Sequence, residues 1–138
     1  MPLQALEPLT TLPAVSMISL QKGTGLEQLH SASFMERIHD WGGEVDLGPD
    51  AFVDTAAVLV NLDLVITTDT SMAHLAGALG LPVWVALHAA SDWRWFRSGD
   101  LSPWYPTMRL FRQRHAGDWA PVIESMRVDI EAMLGKWR

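Results

Sequence analysis

The sequence predicts an α/β fold: a three-layer α/β/α sandwich around a mostly parallel sheet. Three observations carry that expectation. Short apolar runs at Ala14–Leu20, Leu64–Thr67 and Val83–Leu87 read as buried strands. Segments with helical apolar spacing separate them. The stretch Leu64–Pro82, LVITTDTSMAHLAGALGLP, joins a strand, a polar turn and a helix in direct succession. Strands alternating with helices form βαβ units, and right-handed crossovers then put helices on both faces of the sheet.

Each element follows from local chemistry. Residues 1–13 include Pro2, Pro8 and Pro13 and have no periodicity, which predicts an irregular lead-in. A single domain is expected over residues 14–138. Its first strand, Ala14–Leu20, runs into the glycine-containing turn Gln21–Gly25. From Leu26 to about His39, apolar Leu26, Leu29, Phe34, Met35 and Ile38 keep a broken helical spacing, which reads as one helix or two short ones, ended by Gly42-Gly43. Val45-Asp46-Leu47 reads as a second short strand. Ala51–Leu62 reads as a helix, with Phe52, Ala56, Leu59 and Val60 on one face and Asp50 as its N-cap.

Leu64–Thr67 is the third strand, and Ser71–Leu79 a helix rich in small residues. Gly80 suits the C′ position and Pro82 prevents continuation. Val83–Leu87 is the fourth strand and His88–Pro106 a long irregular stretch. Met108–Phe111 can form a fifth strand. Ala120–Leu134 closes the chain as an amphipathic helix, with Pro121 in its permissive first turn.

Bulk properties narrow the function. The net charge is −6 over 138 residues, which argues against nucleic acid as a partner, because such binding neutralises phosphates with basic side chains. The absence of cysteine excludes disulfides and thiolate chemistry. No secretory signal pattern is present, and a cytoplasmic location is expected. No stretch approaches the roughly 18 uninterrupted apolar residues of a membrane span. The five histidines are not at ligand spacing with one another or with carboxylates, so no metal site is expected. The chain has no P-loop, no G-x-G-x-x-G and no G-x-S-x-G elbow.

In open parallel sheets, ligands bind beyond the carboxyl ends of the strands. Three loops fall at that edge: Gln21–Gly25, Thr68–Ser71 and His88–Arg97. The turn Asp69-Thr70-Ser71 opens a helix whose first N–H groups are unpaired and whose dipole is positive, a natural phosphate site. His74 lies one turn further in and can donate to a phosphate or a leaving diphosphate. Asp69 beside a dianion better serves to accept from backbone N–H groups or a ligand hydroxyl. The plainer alternative is that Asp69 and Ser71 only cap the helix and His74 packs in the core.

Lys22, in a turn at the same edge, can pair with a diphosphate or remain a solvated loop lysine. An acidic residue after the second strand often binds ribose, which singles out Asp46 and its neighbour Gly48. Asp50 and Asp54 suit capping and surface charge. Arg94 lies in Asp92-Trp93-Arg94-Trp95, followed by Ser102-Pro103-Trp104-Tyr105-Pro106. These residues can stack on a base or sugar and contact phosphate, or pack against another domain.

Taken together, ISLQKGTG at Ile18–Gly25, VDTAAVLVNLDLVITTDTSMAHLAGALGLPVWV at Val53–Val85, DWRW, and SPWYPTMRLFRQ resemble the C-terminal half of glycosyltransferase family 9. This is the heptosyltransferase-like group, including bacterial forms fused to tetratricopeptide repeats. The resemblance implies a Rossmann-like domain, one half of a GT-B fold, that holds a nucleotide-sugar donor linked through ADP, UDP or GDP. It implies inverting, metal-independent glycosyl transfer with no cofactor.

By match of motif, Lys22, Asp69, Thr70, Ser71 and His74 would line the diphosphate and sugar, with Asp46 or Gly48 near the nucleoside. Heptosyltransferases tend to carry glycine where Ser71 stands. The acceptor domain of such enzymes precedes the donor domain, and only 14 residues precede Val15. A donor-binding half that does not turn over alone is therefore expected, completed by a partner acceptor domain or paired as a homodimer. The rival expectation is a non-catalytic module that self-associates or binds a partner through Trp93, Trp95 and Trp104. A nucleotide-sugar 2-epimerase would place glycines and a Q-E-E-like run where Met72-Ala73-His74-Leu75 stand.

Overall fold

The run VWVAL has no polar face, and in the computed structural model all five of its residues are buried. The structure describes residues 1–136. This strand, β4 (Val83–Leu87), is the centre of a parallel sheet between β3 (Val65–Thr68) and β5 (Met108–Arg112). Val65 pairs with Val83 and Thr68 with Ala86, while Val83 pairs with Met108 and Leu87 with Arg112. A strand flanked on both sides and covered on both faces must be apolar throughout. Each fully buried Val, Leu or Met here contributes about 1.5–3 kcal/mol.

The described residues divide into two compact units. Ala51–Asp118 holds this three-stranded sheet with α3 (Val53–Leu59) and α4 (Ser71–Ala78). Helix α4 connects β3 to β4, packs on both strands and touches α3. Its small residues Ala73, Ala76 and Gly77 are the buried ones, which lets the helix lie close to the sheet. It ends in a Schellman motif: Leu81 N–H donates to Ala76 O and Gly80 N–H to Gly77 O, with Gly80 at φ 71°. The connection from β4 to β5 is irregular apart from a 3-10 turn at Trp93–Trp95.

The other unit combines Met1–Asp50 with the described residues from Trp119 on. Its strands β1 (Met17–Ser19) and β2 (Ile38–Asp40) pair in parallel, with Met17 opposite Ile38 and Ser19 opposite Asp40. Helix α1 (Glu7–Thr10) packs on α5 (Ala120–Lys136), and α2 (Leu26–Ser31) lies between the two strands in sequence. On α5, Val122, Ile123, Met126 and Ile130 form the buried stripe. A mixed helix and strand architecture with parallel pairing throughout the named strands is the Rossmann-like α/β class that the sequence predicts.

Several elements differ from expectation. Leu3–Thr10 is helical, a 3-10 turn followed by α1, with Pro8 in the first turn of α1, where it is tolerated. Of the two expectations for Leu26–His39, the two short helices hold: α2 stops at Ser31 and a 3-10 turn follows at Met35–Arg37. Ser31 Oγ turns back onto the Glu27 and Gln28 carbonyls, and Ala32 is extended. The second strand is Ile38–Asp40 rather than Val45–Leu47. Asp46 has φ 48°, a left-handed conformation that an extended strand does not contain. Asp50 does not cap α3: Phe52 holds the N-cap position at φ 67°, and the helix starts at Val53. The buried face of α3 is Thr55 and Leu59, while Phe52 and Val60 are exposed.

Candidate functional site

At the carboxyl end of β3 the chain turns through Asp69 and Thr70 into α4. Thr70 is the N-cap residue by its extended backbone, but its side chain does not cap the helix. Its Oγ1 lies instead 3.1 Å from Thr67 Oγ1. The first N–H groups of α4 are therefore left without a side-chain acceptor at an end where Asp69, Thr70 and Ser71 are all exposed. Such an end concentrates positive potential and N–H donors. Among the described residues, no side-chain hydrogen bond from Asp69 or Ser71 caps the helix, which was the plainer expectation.

His74 stands one turn along α4, half-buried. Its Nδ1 lies 3.1 Å from Tyr105 Oη. The ring stacks on Trp95, with centroids 5.4 Å apart and planes 22° from parallel, and meets Tyr105 edge-on at 5.9 Å. With Tyr105 O–H as donor to Nδ1, the imidazole proton sits on Nε2, which is then a hydrogen-bond donor.

Tyr105 reaches His74 because Gly77, one turn beyond it on α4, has no side chain. A Cβ there would come 2.5 Å from Tyr105 Cγ. The signals for this arrangement are Gly77 within the small-residue helix and Tyr105 within SPWYP. Neither stands out as a site residue in the sequence.

Arg94 is tied locally. Its guanidinium is 3.2 Å from Asp92 Oδ1 and lies over the Trp93 ring at 5.6 Å. Its carbonyl accepts from Trp104 Nε1 at 2.9 Å, which joins the Asp92–Trp95 turn to the loop that carries Tyr105. Trp95 is fully buried, so it cannot stack on a base or offer a docking surface. Trp93 and Trp104 remain 70% and 54% exposed.

The remaining candidates belong to the other unit. Lys22 lies in the turn after β1, and its Nζ donates to Val45 O, the carbonyl just before Asp46. Lys22 and the Asp46–Gly48 loop are thus joined by a direct contact beyond the ends of β1 and β2. The close approach continues at Gly42, where a Cβ would fall 2.0 Å from Gln21 O. With the second strand at Ile38–Asp40, the acidic residue that closes it is Asp40. Asp40 accepts from Gly42 N–H at 3.2 Å and pairs with His30 Nε2 at 3.6 Å. The sequence hid it because the alternating Val45-Asp46-Leu47 resembles a strand more closely than Ile38-His39-Asp40 does.

No group of His, Cys, Asp or Glu able to hold a metal ion occurs among the described residues. No described helix is long and apolar enough to cross a membrane.

Comparison with known proteins agrees with the motif. The model of glycosyltransferase family 9 (heptosyltransferase) matches residues 36–120, which includes Asp46, Gly48, Asp69–Ser71, His74 and Arg94 but not Lys22. Protein FlbA of Caulobacter vibrioides is 34% identical over 124 residues, covering 88% of this chain and 20% of FlbA. The chain thus spans about a fifth of the length of that curated relative. No solved structure matches it.

Proposed function

The chain belongs to glycosyltransferase family 9, and from that premise we propose that it binds the nucleotide-diphospho-sugar donor of a glycosyl transfer. The observation that carries this reading is the α4 N-terminus. It presents exposed Asp69, Thr70 and Ser71 on a helix end with no side-chain cap, with His74 held by Tyr105 one turn in.

In this reading the N–H groups of α4 and the Thr70 and Ser71 hydroxyls bind the diphosphate. Asp69 accepts from a sugar hydroxyl. When the acceptor oxygen attacks the anomeric carbon, the bond from that carbon to the diphosphate oxygen breaks and negative charge grows on the leaving group. His74 donates to that oxygen and stabilises it, without a metal. The motif resemblance alone assigns Lys22 to the diphosphate as well. The same resemblance assigns Asp46 and Gly48 to the nucleoside, and Arg94 contacts the donor from the Trp93 turn. The acceptor hydroxyl's proton goes to a base on an acceptor domain. Residues 14–138 act as one donor domain. Tetratricopeptide repeats are a fitting neighbour for it, and the cytoplasm a fitting location.

The test is a thermal-shift screen with ADP, UDP, GDP and CDP and their common sugars. Ligand at about a hundred times its Kd stabilises a folded chain by roughly 2.7 kcal/mol. A shift with one nucleotide that disappears in His74→Ala supports the reading and identifies the base. A folded wild type that responds to none overturns it.

A second reading has its own support in Trp93, Phe96, Leu101 and Trp104, which are exposed within one irregular stretch. A non-catalytic module would use them for self-association or for a partner domain. Light scattering at high concentration, comparing wild type with Trp93→Ala/Trp104→Ala, tests it. A wild-type monomer removes the self-association arm.

A further inference from the structure

Arg112 ends β5, and its guanidinium finds only neutral acceptors among the described residues. Nε donates to Gly99 O at 3.2 Å, Nη1 to Ser91 Oγ at 2.8 Å, and Nη2 to Trp95 O. These acceptors span the Ser91–Gly99 stretch, whose sole regular structure is the 3-10 turn at Trp93–Trp95. A planar fork with several fixed donors suits that task. Partial burial also lowers the guanidinium's pKa from the ordinary arginine value.

The turn has hydrogen bonds of its own, Trp95 N–H to Asp92 O at 3.1 Å and Arg94 N–H to Asp92 Oδ1 at 3.0 Å, but its exit is strained. Phe96, directly after Trp95, has φ 56° and ψ −177°, a conformation that side-chain-bearing residues rarely adopt. The Trp95 ring is fully buried and stacks on His74. A chain of contact therefore runs from the Arg112 fork to the Trp95 backbone, through the indole, to the imidazole.

We propose that Arg112 is a positioning residue for the donor site: by fixing the Trp95 backbone it sets the orientation of the His74 ring. The role in donor binding rests on the function proposed above; the positioning of His74 stands without it. Arg112 touches neither His74 nor the proposed diphosphate site on α4. Its link to His74 runs through the Trp95 backbone.

The test reads His74 and nucleotide binding separately. In the 138-residue chain, the His74 Hε1 resonance is assigned by comparison with His74→Ala and followed in Arg112→Met and Arg112→Lys. Stacking on an indole displaces this resonance from the position of an unstacked histidine. Both variants are expected to move it back, Lys included, because an ammonium keeps the charge but not the fork. Affinity for the best-binding of ADP, UDP, GDP and CDP is expected to fall about tenfold.

A His74 resonance unmoved in folded Arg112→Met overturns the proposal. Wild-type behaviour of Arg112→Lys overturns the role of the fork. A moved resonance with unchanged affinity overturns the link to the donor. If wild type binds no nucleotide, the donor reading fails while the resonance still decides the positioning. Should Arg112→Met not fold, Ser91→Ala, which removes one acceptor, is expected to shift the same resonance in the same direction, and an unmoved resonance there overturns the proposal.

Discussion

The Tyr105 ring crosses α4 directly over Gly77, so closely that a Cβ on Gly77 would meet three ring carbons within 3 Å. The absent side chain is what admits the ring, and the ring is what brings a hydroxyl to His74. Alanine at position 77 favours an isolated helix by about 1 kcal/mol. Here the ring must move, and overpacking of this kind costs typically about 1–3 kcal/mol. Gly77→Ala is therefore expected to destabilise the chain by up to about 2 kcal/mol in urea unfolding, and to separate Tyr105 from His74. A gain in stability would refute the packing argument.

Tyr105→Phe isolates the hydrogen bond from the packing. The ring remains over Gly77, but the 3.1 Å contact to His74 Nδ1 is lost. Stability should fall by about 1 kcal/mol, the net worth of one such bond. The imidazole then loses the group that fixes its tautomer, so nucleotide affinity should drop about fivefold, measured by calorimetry. Unchanged affinity would make Tyr105 a packing residue only.

Gly42 makes an analogous contact, this time with backbone. A Cβ there would lie 2.0 Å from Gln21 O, and a carbonyl in the turn after β1 cannot swing aside as a side chain does. Gly42→Ala should cost about 3 kcal/mol, the upper end of overpacking. It should also disturb the adjoining Lys22 turn. Chemical denaturation of Gly42→Ala beside Gly43→Ala checks this, because Gly43 has open space where its Cβ would go. Equal effects at the two positions would count against it.

How much of this was legible in the sequence depends on what each residue answers to. β4 and the Gly80 stop of α4 follow from local chemistry: an uninterrupted apolar run, and a glycine followed two residues later by proline. β3 and α4 lie within one residue of expectation for the same reason. The polar turn Asp69–Ser71 with His74 follows from the strand–turn–helix order. What was not legible depends on partners far along the chain. Ile38–Asp40 is a strand because Met17–Ser19 pairs with it, and no local pattern announces that. Phe52 and Asp46 take left-handed backbones that their residue types do not signal. Tyr105, 31 residues from His74, joins the site only through the fold.

Charge on α5 predicts a modest pH effect. Arg127 donates to Glu124 at 2.7 and 2.8 Å and to Glu131 at 2.5 Å. The hydrogen bond from Arg127 holds the Glu124 carboxyl below its ordinary pKa. A carboxyl depressed in the folded chain contributes stability above its unfolded pKa and loses it as pH falls through the folded value. The two carboxylates are exposed and Arg127 is half-buried, so the effect is small and screened by salt. Arg127→Gln should slightly lower Tm at neutral pH, with the difference fading under acid and in about 1 M salt. A difference that persists in salt would point to packing by the arginine stem.

Trp93 and Trp95 flank one arginine, yet they should respond to substitution in opposite ways. Trp95 is fully buried and Trp93 is 70% exposed. Truncating a buried tryptophan to alanine costs about 3–5 kcal/mol through lost transfer energy and a cavity. Exposed positions stay within about 0.5 kcal/mol. Trp95→Ala should therefore unfold at much lower urea than Trp93→Ala. Trp95→Phe gives the finer reading. The indole Nε1 is buried without an acceptor among the described residues. Phenylalanine gives up volume but also removes that unpaired donor, whose burial costs about 1–3 kcal/mol. The two effects oppose, so Trp95→Phe should lie much nearer wild type than Trp95→Ala. It should also keep an aromatic face against His74. A Trp95→Phe chain as unstable as Trp95→Ala would mean that the indole N–H is satisfied in solution and that indole volume is what the site requires.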